Sequence, residues 1–180
     1  MTRNLRISLA ALSLVFGLAA FSGSASAQSR SSHFGLGGTI GDPFGLTMKL
    51  RTNSAFAVQF NAGWSGWGYN NYWNSDAFQL SADFIWSIDI KSLQRTEFSF
   101  YFGVGPQVEI VTWDNSARDH SDFFFGARVP LGLDWDFNSR PLDVFVEFAP
   151  GFLIGDHWDD DNDADFFFEA DFVAGARYWF

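Results

Sequence analysis

The sequence predicts an all-β chain: a closed, antiparallel, up-and-down transmembrane β-barrel of about eight strands, following a cleaved N-terminal signal peptide. Three observations predict it. The first 27 residues read as an export signal. The remainder alternates apolar and polar residues with a period of two and carries no apolar run long enough for a spanning helix. The connections between the alternating stretches are long at one end and short at the other.

The signal comes first. Arg3 and Arg6 form a basic start, Ile7 to Phe21 is apolar apart from Ser8, Ser13 and Gly17, and Ala25-Ser26-Ala27 is an A-x-A cleavage site. The expected division is a signal peptide over 1–27 and a single barrel domain over 28–180. Cleavage removes two arginines and no acids, taking the formal charge from −10 to −12. The chain has no cysteine, so it has no disulfide, no thiolate metal site and no lipoprotein anchor. Its acidity excludes nucleic acid as a partner, because phosphates need Lys and Arg and the only lysines are Lys49 and Lys91. With 23 Phe and 8 Trp the chain is far too aromatic for a disordered acidic protein.

The strands follow in order. Phe34, Leu36 and Ile40 mark the first, interleaved with Gly35, Gly37 and Thr39. Phe44, Leu46, Met48 and Leu50 alternate with Gly45, Thr47, Lys49 and Arg51 in the second. The third runs from Phe56 to Trp64, with Ala57, Gln59, Asn61 and Gly63 on its other face. Phe78, Leu80, Ala82, Phe84 and Trp86 oppose Gln79, Ser81, Asp83 and Ile85. Phe98, Phe100, Phe102 and Val104 oppose Ser99, Tyr101, Gly103 and Gly105. Phe123 to Trp135 forms the sixth strand, Leu142 to Phe148 the seventh and Phe166 to Phe180 the last. On one side 41–43 is short, but 66–75, 111–121 and 155–165 are long loops; between them 52–54 and 138–141 are tight turns, and 88–95 is intermediate. Pro106, Pro130 and Pro150 fall inside these stretches and are expected to mark bulges or strand ends, since proline cannot donate to a ladder.

Alternation alone does not say which face is outside. A soluble carrier barrel would turn the apolar face inward; a membrane barrel turns it to lipid. The polar face carries Gly103, Gly105, Gly126, Gly132, Gly151 and Gly175, as the tight packing of a narrow lumen requires. It also carries Lys49, Arg51, Asp83, Glu109, Arg128, Glu147, Glu169, Asp171 and Arg177, an expected lumenal charge network, because enclosed charges must be paired. Trp64 and Trp113 at the loop end, with Trp67, Tyr69, Tyr72 and Trp73 in the loop, and Trp86, Trp135, Tyr178 and Phe180 at the turn end, suit two interfacial girdles.

The ending Tyr178-Trp179-Phe180, with Phe172, Ala174 and Ala176 in step, resembles the C-terminal signature of bacterial outer-membrane proteins. The mature chain resembles the small outer-membrane β-barrels of the OmpA/OmpX type, through Gly35-x-Gly37 leading to Gly41-Asp42-Pro43, Arg128-Val129-Pro130-Leu131-Gly132-Leu133 and Phe145-x-Glu147-Phe148-Ala149-Pro150. The resemblance implies an outer-membrane location, contact with lipid and lipopolysaccharide, and recognition of Phe172, Tyr178 and Phe180 by the barrel assembly machinery. A monomer is expected.

No catalytic constellation emerges and no cofactor is expected. Asp159-x-Asp161-x-Asp163 begins like a calcium loop, but Ala164 replaces the required Gly and Ala170 the final Glu. Asp159, Asp161 and Asp163 therefore stand only as weak metal candidates. His120-Ser121-Asp122 collects triad residue types as chain neighbours, which a strand sends to opposite faces. The function expected is a structural role in the envelope. The alternatives are a surface receptor or adhesin acting through its long loops, and a lipid-modifying enzyme.

Overall fold

The computed structural model describes residues 33–53, 55–65, 75–93, 96–113, 120–137, 139–156 and 164–180. Residues 1–27, with the expected signal, lie outside them. The chain forms β1 (Phe34–Asp42), β2 (Phe44–Arg51), β3 (Phe56–Ser65), β4 (Ser75–Leu93), β5 (Thr96–Trp113), β6 (His120–Arg128), β7 (Leu131–Phe137), β8 (Leu142–Asp156) and β9 (Ala164–Trp179). Every pairing is antiparallel, and the order β4-β3-β2-β1-β9-β8-β6-β5 closes through β4–β5 into a ring.

Nine segments occupy eight positions in this ring. β6 and β7 both pair with β5 on one side and β8 on the other. Arg128 lies opposite Gly105 and Gly151, and Leu131 lies opposite Phe102 and Phe148, so the register continues unshifted across the gap. They are one strand interrupted at Val129-Pro130. Stepping from partner to partner leads from Arg177 through Gly37, Thr47, Asn61, Ser81, Gln107, Gly126 and Leu153 back to β9 at Phe167. The path returns ten residues away from its start, which is the shear of the barrel. With ~3.3 Å per residue and ~4.8 Å between strands, that stagger tilts the strands by about 40° from the axis.

The prolines behave in three ways. Pro130 interrupts a strand, whereas Pro106 and Pro150 lie within the unbroken β5 and β8, not at strand ends. The Gly103 N–H donates to the Pro130 carbonyl at 2.8 Å, and the Val129 N–H donates to the Pro150 carbonyl at 2.8 Å. Each of these pairs lacks its return bond, because proline has no N–H. Opposite Pro106, the β4–β5 ladder skips Ala82 and Asp83 between Ser81↔Gln107 and Phe84↔Val104. Two connections are also shorter than the sequence suggests. β4 continues to Leu93 with a register shift between Asp89 and Lys91, so most of 88–95 is strand. Trp113 closes β5 and His120 opens β6, which shortens the loop between them and places His120-Ser121-Asp122 in a strand.

The two faces differ sharply in exposure. Outside, Phe168 is 82%, Ile40 66% and Phe172 63% exposed, while inside Asp83 and Arg177 are 0% and Lys49 is 1% exposed. Large apolar groups thus cover the cylinder and ions fill it, the reverse of a water-soluble barrel. Among the described residues no helix is long and apolar enough to cross a membrane.

Candidate functional site

The inward residues build a polar column. At the turn end, Arg51 Nη2 reaches the Asp136 carboxylate at 2.7 and 2.9 Å, and its guanidinium lies 3.8 Å above the Trp179 ring. One layer further in, Lys49 Nζ donates to Asp134 at 2.5 Å and lies 4.7 Å from the Tyr101 ring. Arg177 donates to Asp134 at 2.7 Å, to Asp143 at 3.1 Å and to Gln59 Oε1 at 2.7 Å, and lies 4.0 Å over Phe145. Arg128 occupies the middle: Nε and Nη2 reach Asp83 at 3.1 Å each, Nη1 reaches Asp171 at 2.6 Å, and Nη2 also donates to Glu147. Glu147 further accepts from the Tyr101 hydroxyl at 2.7 Å and from Gln59 at 2.9 Å. Nearer the loop end, Gln79 Nε2 donates to Asp171 at 2.9 Å and to Gln107 at 3.3 Å, and Gln107 donates to Glu169. Beyond them Ala77, Val111, Phe124 and Leu153, with Phe167 against them, form an apolar plug.

Lys49, Asp83, Arg128, Glu147, Glu169, Asp171 and Arg177 are joined by hydrogen bonds in this column, and Arg51 pairs with Asp136 at its turn end. Glu109 points into it but leaves one carboxylate oxygen without a partner. Sequence reasoning left out Asp134, Asp136 and Asp143, the partners of Lys49, Arg51 and Arg177, and the bridging Gln59, Gln79, Tyr101 and Gln107. Their signal was present: each occupies the same alternating face as the charges it meets.

Four inward rings lie on glycines directly across the ladder: Tyr101 on Gly132, Phe124 on Gly155, Phe145 on Gly175 and Trp179 on Gly35. A Cβ at Gly132 would stand 2.2 Å from the Tyr101 ring. The ring cannot retreat without giving up its bond to Glu147. Gly132→Ala is therefore expected to cost roughly 1–3 kcal/mol by overpacking. Gly38→Ala, whose Cβ would find its nearest contact at 3.5 Å, is the near-neutral control. Urea unfolding of the refolded barrel compares them.

On the outer face, aromatic rings meet near both ends. At the turn end Phe56 contacts Trp86 at 5.5 Å, Trp86 contacts Phe102 at 6.0 Å, Phe98 meets Trp135 at 4.3 Å and Tyr178 meets Phe180 at 4.9 Å. Nearer the loop end Trp64 meets Phe78 at 5.1 Å, and Phe166 meets Phe152 and Phe168 at 5.5 and 4.9 Å. Trp113 is the last residue of β5. Phe172 stands exposed on β9, and Phe180 stands exposed just after it. Asp159, Asp161 and Asp163 lie outside the described residues, and among the described residues no three His, Cys, Asp or Glu side chains are assembled to hold a metal.

A closed antiparallel cylinder with hydrocarbon groups outside and paired ions inside defines the fold class of small outer-membrane β-barrels. The structure is similar to the crystal structure of Neisserial surface protein A (NspA), with a TM-score of 0.57 and 15% sequence identity, covering 83% of this chain and 98% of that one. The chain belongs to the family described as protein of unknown function DUF3996, whose model matches residues 25–176. No curated protein matches it.

Proposed function

We propose that this protein is an integral outer-membrane β-barrel with a structural, non-catalytic role in the envelope. The observation that carries the proposal is the inversion of faces: Lys49, Asp83, Asp143 and Arg177 are at most 1% exposed inside a ring whose exterior displays Ile40, Phe44, Phe84, Phe123, Phe125 and Phe172. Water would reject such an exterior, whereas lipid accepts it. Outer-membrane lipid and lipopolysaccharide are then its surroundings. The strand carrying Phe172, Tyr178 and Phe180 presents the signal for the barrel assembly machinery, and the plugged lumen suits a monomer rather than a solute pore.

Outer-membrane fractions run on an SDS gel test this. The band is expected to migrate differently boiled and unboiled, as a detergent-resistant cylinder does. Identical migration, or recovery of the protein in the periplasmic fraction, overturns the proposal. A surface-receptor role is favoured only by the likeness to a protein named as a surface protein. Deleting 66–74, 114–119 and 157–163 tests that role: loss of surface binding with heat-modifiability retained would support it.

A further inference from the structure

We infer that the loop-end half of the lumen is a binding site for one partly hydrated divalent cation, held by Glu109, Glu169 and the side-chain carbonyl of Gln79. The inference rests on the enclosed-lumen reading above. It starts from an imbalance. In the turn-end half, Lys49, Arg51 and Arg177 meet Asp134, Asp136 and Asp143. In the other half, among the described residues, one guanidinium, Arg128, answers Asp83, Glu147 and Asp171. Beyond it Glu109 lies beside Glu169, Asp171 and Asp42, and Arg128 is the cation beside Glu169 and Asp171. Buried carboxylates without a partner are costly to keep charged.

A second observation is independent of the carboxylates. Gln79, 4% exposed and directly across the ladder from Glu109, spends its amide N–H groups on Asp171 and Gln107, and its Oε1 has no partner. Glu109, 2% exposed, likewise leaves Oε2 unpartnered, and so does Asp42 Oδ1. Rotating the Gln79 amide would not help, because it would turn the carbonyl onto Asp171. Among the described residues the neighbourhood therefore offers acceptor oxygens, and the amide donors of Gln79 and Gln107 are spent. Oxygen-only ligands with net negative charge select a hard cation. No three carboxylates among the described residues enclose a bare ion. With only two carboxylates and one carbonyl as ligands, the ion keeps part of its water, as magnesium does. The apolar plug of Phe124, Leu153 and Phe167 closes the loop end, so the ion enters during folding.

The test is refolding of the full mature chain in detergent with magnesium, or with sodium at matched ionic strength plus EDTA. Metal content after dialysis and the thermal unfolding midpoint are both measured. One magnesium per chain and a higher midpoint are expected. Since stabilisation grows as the logarithm of ligand over Kd, a hundredfold excess corresponds to about 2.7 kcal/mol. Glu109→Gln should lose both the metal and the increment, yet match or exceed the wild type in sodium, because its unpaired charge is gone. Glu169→Gln provides the same test should Glu109→Gln not refold. A triple Asp159→Asn, Asp161→Asn, Asp163→Asn variant should keep the increment. Absence of bound magnesium in a heat-modifiable wild-type barrel overturns the inference while leaving the membrane reading intact; so does an increment that survives Glu109→Gln or vanishes in the loop variant.

Discussion

Arg128→Ala is expected to be the most damaging single change in the lumen, lowering the folding free energy by roughly 3–5 kcal/mol. Its guanidinium is 2% exposed and is the shared partner of Asp83, Glu147 and Asp171. These carboxylates come from β4, β8 and β9, so one side chain from β6 ties three walls of the cylinder together. Truncation leaves their charges enclosed without a counter-ion, and it is that orphaned charge, more than the lost attraction, that sets the cost. Arg128→Lys should recover only part of it, because an ammonium cannot reach three carboxylates with a planar fork. If orphaned charge is the cause, Arg128→Met combined with Asp83→Asn, Glu147→Gln and Asp171→Asn should regain most of the loss, a strongly non-additive result. Urea titration of refolded barrels, followed by Trp fluorescence, measures all three. Additive losses would show that Arg128 acts through packing instead.

The period-two pattern made the face of each strand legible because the pleat enforces it residue by residue. Lys49, Asp83 and Arg177 could be placed on one side without knowing any neighbour. Pairing was not legible in the same way. Lys49 meets Asp134 and Arg51 meets Asp136 across 85 residues of sequence, and which carboxylate faces which cation depends on the shear of the ring and the register of every strand between. The contacts of aromatic rings with glycines were hidden for the same reason: Tyr101 and Gly132 become partners only once β5 and β7 are aligned. Pro130 was ambiguous because a proline can end a strand or merely interrupt it. The unshifted register on both flanks shows the second. The alternation of Ile88, Asp89, Ile90 and Lys91 did extend past the proposed strand end. That alternation was the legible signal for the longer β4, which continues to Leu93 through the register shift between Asp89 and Lys91.

Leu80→Arg tests the other half of the architecture, the outer face. Leu80 is 44% exposed on β4, paired with Ala62 on one side and Val108 on the other, between the aromatic pairs at Phe78 and Trp86. If that surface lies in hydrocarbon, an arginine there costs about 2–4 kcal/mol in a lipid bilayer, whereas near the interface the same change costs about 0–1 kcal/mol. Ile90, 59% exposed near the turn end of the same strand, supplies the interfacial comparison through Ile90→Arg. Unfolding in phosphatidylcholine vesicles should therefore separate the two variants by a couple of kcal/mol, with Leu80→Arg the weaker. A water-facing wall makes the opposite prediction. Surface substitutions away from special features change stability by no more than about 0.5 kcal/mol, and trading an exposed leucine for arginine would improve solubility at either height. Depth dependence is a property of a bilayer and not of an aqueous surface. A graded penalty along one strand would therefore locate the hydrocarbon around this cylinder without relying on its resemblance to any other protein.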